Sequence, residues 1–190
     1  MSNSIERYAF VTGNPNKVIE ARRITGIDIK HVTLDMCEPQ DRSCVNVALA
    51  KATEAYSKLG CPAIVEDSGL ELVALGGFPG PLVKHWEQSG GTKTICTALD
   101  GFSDRRAVAV CVLVAIDANE RIVIEARVEG TIARYPRGYA GFGFDPIFVP
   151  TSISGMTFGE LSGAGKDACS HRGNAWRQLL ARLAGGGTCG

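Results

Sequence analysis

Residues 107–116 read AVAVCVLVAI, a run in which no position is polar and many side chains are β-branched. A strand with no polar position has no face to offer water, so it must lie inside a sheet covered on both sides. Asp117, Ala118, Asn119 and Glu120 turn the chain back. Ile122, Ile124, Ala126 and Val128 then alternate with Arg121, Glu125, Arg127 and Glu129. That alternation predicts an antiparallel partner strand with one wet face.

The first third places helices around this sheet. Residues 8–12 read as a short buried strand. Asn14 and Pro15 are suited to the cap and first position of a helix over 16–25, which Gly26 ends. Residues 27–34 follow as a strand. Val45, Ala48, Leu49, Ala52, Ala55, Tyr56 and Leu59 recur at helical spacing until Gly60 and Pro62 stop them. A strand over 63–66 comes next. Short helices are expected at 82–88 and 93–99, and a last helix begins near Ser170. Residues 184–190 read as a loose glycine-rich tail. The expected fold is α/β: an elongated mixed sheet flanked by helices, with the 190 residues forming one domain of two lobes around a cleft.

Lys plus Arg and Asp plus Glu are both 20, so no bulk charge draws the chain to nucleic acid or membrane. Any anion site must be local. The apolar runs are too short to span a bilayer, and the start of the chain lacks a signal-peptide core. Seven cysteines without a CxxC pair point to reduced thiols in the cytoplasm, not to zinc or disulfides.

Four segments break local folding rules, which marks them for function. Thr12, Gly13, Asn14, Asn16 and Lys17 surround a strand-to-helix turn, where backbone N–H groups, the helix dipole and a lysine favour a phosphate. An ordinary turn has the same composition. Glu66, Asp67 and Ser68 follow an apolar strand, with Gly69 allowing a sharp turn. Successive residues of a strand point to opposite sides, so the two acids cannot share one task. Solvated acids in a turn are the plain alternative. Phe142, Gly143, Phe144 and Asp145 interleave aromatics with glycine, which suits stacking on a planar ring, while Asp145 could accept from ring N–H groups. At least one of the two rings is expected to plug the core instead. Lys166, His171 and Arg172 put cations near the start of the last helix, where the dipole disfavours them. A bound acceptor would reverse that penalty, and a solvated basic end is the alternative.

Taken in order, TGNPNK at 12–17, VEDSGLELVALGGFPGP at 65–81, GFGFDPIF at 141–148 and FGELSGAGKDACSHRGNA at 158–175 resemble the inosine triphosphate pyrophosphatase family, and PGPLVKHW at 79–86 is similar to its eukaryotic branch. The resemblance implies hydrolysis of ITP, dITP or XTP to the monophosphate and pyrophosphate, which sanitises the nucleotide pool. It also implies Mg²⁺, with Mn²⁺ as a substitute, and a homodimer. The phosphate loop corresponds to residues 12–17, further phosphate-binding lysines to Lys51 and Lys84, and the base pocket to residues 142–145 with Lys166, His171 and Arg172. Asp67 corresponds to the general base and metal-linked aspartate, with Ser68 beside it. Glu38 corresponds to the metal-binding glutamate, and Glu66 is a further candidate ligand. Glu38, Asp67 and Lys17 are the expected catalytic residues. Gly159, Gly165 and Asp167 depart from the family pattern around Lys166. A non-catalytic nucleotide sensor, or a pyrophosphatase of this fold for another nucleoside triphosphate, are the competing functions.

Overall fold

The structure, a computed structural model, describes residues 4–153 and 155–185. The apolar run forms β5 (Arg106–Ile116), the centre of a seven-stranded mixed sheet. It pairs antiparallel with β3 (Ala63–Leu72) on one side and with β6 (Arg121–Ile132) on the other. Each face is covered by a helix. Val110, Val112, Val114 and Ile116 pack in a core cluster with α2 (Cys44–Leu59), and Cys111, Leu113 and Ala115 pack in another with α5 (His171–Gly185). On β6, Ile122 and Ala126 are buried and Ile124 and Val128 half-buried, while Arg121, Glu125, Arg127 and Glu129 are exposed, as the alternation predicts.

The N-terminal third runs β1 (Ala9–Val11), α1 (Pro15–Thr25), β2 (His31–Val32), α2 and β3, with β1 parallel to both β2 and β3. The Asn14 side chain accepts from the Asn16 N–H at 3.0 Å, and Gly26 closes α1 at φ 69°. Ser43 and Gly60 bound α2 in the same way. The strand expected over 27–34 shrinks to two residues, because β2 is the sheet edge and pairs only with β1.

The largest difference from the sequence reading is at residues 66–70. The chain does not turn there, and β3 continues to Leu72 with β5 paired along its whole length. Gly69 serves a close approach, not a bend. A Cβ at this position would stand 2.6 Å from Cys44 Sγ and 2.8 Å from the Gly80 carbonyl carbon of β4 (Pro79–Gly80). Helix α3 (Val83–Ala98) is interrupted at Gly91, φ 72°, so it amounts to the two short helices expected. Helix α4 (Gly163–Cys169), which carries Lys166, went unforeseen in a glycine-rich stretch, and Ser162 caps it. Strand β7 (Phe148–Pro150) completes the sheet beside β6. The expected tail falls mostly on residues 186–190, outside the described residues, while 184 and 185 belong to α5. No helix among the described residues is long and apolar enough to cross a membrane.

Candidate active site

The β1–α1 turn, the middle of β3, the inward faces of α2 and α3, the 142–145 segment and the first turn of α5 enclose a cleft of about 450 Å³. That volume is in the range of small-molecule sites. Thr12, Gly13, Asn14 and Lys17 line one part, Glu38, Lys51, Asp67, Ser68 and Lys84 another, and Phe142–Asp145 with His171 and Arg172 a third. Asn16 and Lys166 do not line it.

At the turn, three of the backbone donors that could meet a phosphate are occupied. Asn14 N–H donates to Thr12 Oγ1 at 3.1 Å, Asn16 N–H to Asn14 Oδ1, and Lys17 N–H to the Asn14 carbonyl at 3.2 Å. A phosphate there meets the positive end of α1 and the Lys17 ammonium, and reaches these amides only by displacing the cap. Lys17 Nζ itself lies 3.3 Å from both the carbonyl oxygen and the Oε1 of Glu66.

Neighbouring on β3, Glu66 and Asp67 project to opposite faces and have separate partners. Glu66 shares its face with Ile64 and is held by Arg172 at 2.8–3.0 Å and by the Ser68 hydroxyl at 2.9 Å. Burial would raise its carboxyl, but the charges of Arg172 and Lys17 outweigh this and lower it. With both oxygens engaged it is spent as a metal ligand, which corrects that candidacy. Asp67 shares its face with Val65, towards α2. Lys51 Nζ sits 3.4 Å from Asp67 Oδ1 and 3.0 Å from Glu38 Oε1, bridging the two acids. Burial raises the Asp67 carboxyl more than Lys51 and Lys17 lower it. For Glu38, burial is outweighed by Lys51, Lys84 and Lys17, and its carboxyl falls. Asp67 Oδ2 is buried without a hydrogen-bond partner. A buried, raised carboxylate with a free oxygen is equipped to take a proton or to ligate a cation.

At the aromatic end the structure reassigns several groups. Asp145 is 2% exposed, and its Oδ2 accepts from the Phe142 N–H at 2.7 Å and from Lys166 Nζ at 2.5 Å. It braces its own loop instead of reading a ring. Gly141, at φ 77°, is required there because a Cβ would overlap that carboxylate. Lys166 is 2% exposed and also donates to Glu20 at 2.7 Å. Arg172 divides its guanidinium between Glu66, Glu20 at 2.6 Å and Ser68 at 3.2 Å. The expectation that these two cations read a base therefore gives way to a buried network. Both lie under the Phe142 ring, Lys166 Nζ at 4.9 Å and the Arg172 guanidinium at 5.0 Å from its centroid, and so support it from below. Phe144, 7% exposed, is the ring that joins the core. His171 stacks on Phe144 at 5.5 Å, and its Nδ1 is buried without a partner. Burial, then Arg172 and Lys166, push the imidazole well below its ordinary value, so it is neutral.

Two residues escaped the sequence reading. Glu20, buried on α1, neutralises Lys166 and Arg172, and its only signal is its place three residues after Lys17 on the same helix. Glu87 lines the cleft three residues after Lys84 on α3. The departures lie off the cleft. Asp167 pairs with Arg23, and a Cβ at Gly159 would stand 2.8 Å from the Arg137 carbonyl oxygen.

The chain is similar to known proteins along nearly its whole length. Residues 8–182 match the Ham1 family. The chain is 40% identical over 182 residues to a dITP/XTP pyrophosphatase of Mycolicibacterium paratuberculosis, covering 88% of this chain and 87% of that protein. It is 38% identical over 174 residues to an inosine triphosphate pyrophosphatase of Emericella nidulans, covering 90% and 92%. The structure of a HAM1 protein from Coxiella burnetii superposes with a TM-score of 0.82 at 31% identity, covering 94% of this chain and 99% of that one. With the match running from the first strand to the last helix, and with relatives this similar over nearly their whole length, the chain belongs to the Ham1 family.

Proposed function

We propose that this chain is an enzyme that hydrolyses non-standard purine nucleoside triphosphates (ITP, dITP, XTP) to the monophosphate and pyrophosphate. The observation that carries the reading is the company Asp67 keeps. Its raised carboxyl, with one oxygen unpartnered, shares a cleft with Lys17, Lys51 and Lys84 and with an aromatic end at Phe142 and His171. The names of the related pyrophosphatases support it.

Asp67 and Glu38 fit a hard divalent cation, Mg²⁺ or Mn²⁺ in its place. Both are carboxylates lining one cleft, Asp67 Oδ2 is an orphaned buried oxygen, and Lys51 holds only Asp67 Oδ1 and Glu38 Oε1, so each acid keeps an oxygen that the ammonium does not occupy. Bound there, Mg²⁺ would polarise phosphate oxygens and offset developing charge. Asp67 orients, and takes a proton from, the water that attacks the α-phosphorus. Lys17, Lys51 and Lys84 balance the charge on the departing pyrophosphate, and most of the acceleration comes from position and electrostatics. Phe142 covers the ring. The neutral His171 imidazole can donate one hydrogen bond to a 6-keto oxygen, which a 6-amino group cannot accept. A pocket of this kind can reject the wrong analogue by roughly 10⁴-fold.

Pyrophosphate release from ITP and ATP at equal concentration, with Mg²⁺ and with EDTA, tests the reading. Release from ITP that far exceeds ATP and stops with EDTA is expected. Binding without release identifies a sensor, and preference for another triphosphate identifies a relative with a different substrate. We further propose a cytoplasmic homodimer without nucleic-acid or membrane partners, to be checked by sedimentation. The zero net charge and the unpaired cysteines among the described residues favour that setting.

A further inference from the structure

Glu87 lines the cleft with its neighbour Lys84 one helical turn earlier, yet it has no ion-pair or hydrogen-bond partner among the described residues. Its Oε1 is shut off from solvent. A Cβ at Gly143 would stand 3.4 Å from Oε2 and 3.5 Å from Oε1, so the carboxyl lies against the backbone of the segment that carries Phe142. A Cβ there would make only ordinary contact with the carboxyl, and it is the backbone, at φ 62°, that calls for glycine at 143. Burial, then the charge of Asp145, pushes the Glu87 carboxyl up to about 7. The other ionisable groups on this part of the wall are Lys84 from α3 and His171 and Arg172 from α5. Arg172 is spent on Glu20 and Glu66, and His171 is neutral.

We propose that Glu87 is a specificity-determining residue whose carboxyl hydrogen-bonds the C2 edge of the purine ring held beside Phe142 and His171. This rests on the pyrophosphatase reading, in which His171 addresses the keto oxygen at C6 and leaves the adjacent edge to a group from another element. A protonated carboxyl both donates and accepts, whereas an ionised one only accepts. At C2, hypoxanthine carries hydrogen and xanthine a keto oxygen. Protonated Glu87 therefore donates to xanthine, and ionised Glu87 repels it.

The test compares wild type, Glu87→Gln and Glu87→Leu for kcat and KM on ITP and XTP from about pH 6 to about pH 8, with thermal melts to verify folding. Calorimetric binding of IMP and XMP gives a readout that needs no turnover. Xanthine's own ionisation is common to all three proteins, so the difference between them is what counts. In wild type the XTP-to-ITP ratio of kcat/KM is expected to fall about tenfold more across this range than in Glu87→Gln. Glu87→Leu is expected to raise KM for XTP roughly tenfold with kcat nearly unchanged, the mark of lost uniform binding. Identical ratios and pH courses in all three proteins overturn the role of Glu87 and leave the activity standing. If wild type releases no pyrophosphate, the activity falls instead. The IMP-to-XMP binding ratio then decides on Glu87, and an unchanged ratio or no binding overturns it.

Discussion

At the scale of single residues, the cleft separates two acids that are adjacent in the chain. Asp67 is raised by burial and keeps a free oxygen, whereas Glu66 is lowered by Arg172 and Lys17 and has none. Replacing Asp67 by Asn keeps the shape and removes the base. Turnover of ITP should fall by roughly 10²- to 10⁴-fold, with affinity changed little, as pyrophosphate release and calorimetry will show. Glu66→Gln should behave differently, because it removes one of the two carboxylates that hold the buried guanidinium of Arg172 and leaves Glu20 as the other. A loss of about 3–5 kcal/mol in urea unfolding at neutral pH is expected. The pH dependence follows from the lowered carboxyl. Wild type draws this stabilisation in full above the ordinary value of 4.5 and loses it as pH falls below that towards the lowered value, so the gap between the two proteins should narrow in acid. Alternation along a strand already placed these acids on opposite sides. Which of them is structural was not legible, because Arg172 comes from 106 residues away.

At the scale of elements, local signals worked where they were local. Asn14, Gly26 and Gly60 bound α1 and α2 as expected, and Ser43 adds the cap that starts α2. The errors arose where a neighbour distant in sequence decides. Gly69 resembles a turn residue by itself, but the β5 ladder carries the strand past it and β4 packs against its bare Cα. Gly69→Ala should therefore cost about 1–3 kcal/mol in denaturant unfolding through overpacking. Gly13→Ala, where a Cβ meets nothing within 4 Å, should stay within about 0.5 kcal/mol of wild type. Helix α4 was missed because glycine at 163 and 165 lowers helix propensity, and Ser162 and the contacts of Lys166 and Asp167 supply what propensity lacks.

At the scale of the whole molecule, the fold and the cleft chemistry are separable. The three core clusters are built from apolar residues of the sheet, helices and connecting turns, without Glu38, Asp67 or the cleft lysines. Chelation with EDTA should accordingly abolish ITP turnover while shifting the apo protein's melting temperature by less than about 2 °C, read by circular dichroism. A collapse of the melt would instead make the metal part of the fold. The sequence by itself determined the central buried strand, its wet-faced partner, the capped helices and the residue types available for phosphate and ring, since each depends on neighbours within a turn or two of chain. Only the tertiary structure decided which charges remain usable. Glu20 and Glu66 lie 152 and 106 residues from Arg172, and Glu20 lies 146 from Lys166, so no local pattern could reveal that these cations are consumed. A buried charge is assigned by whatever opposite charge the fold brings against it, because an unpaired one costs too much to keep.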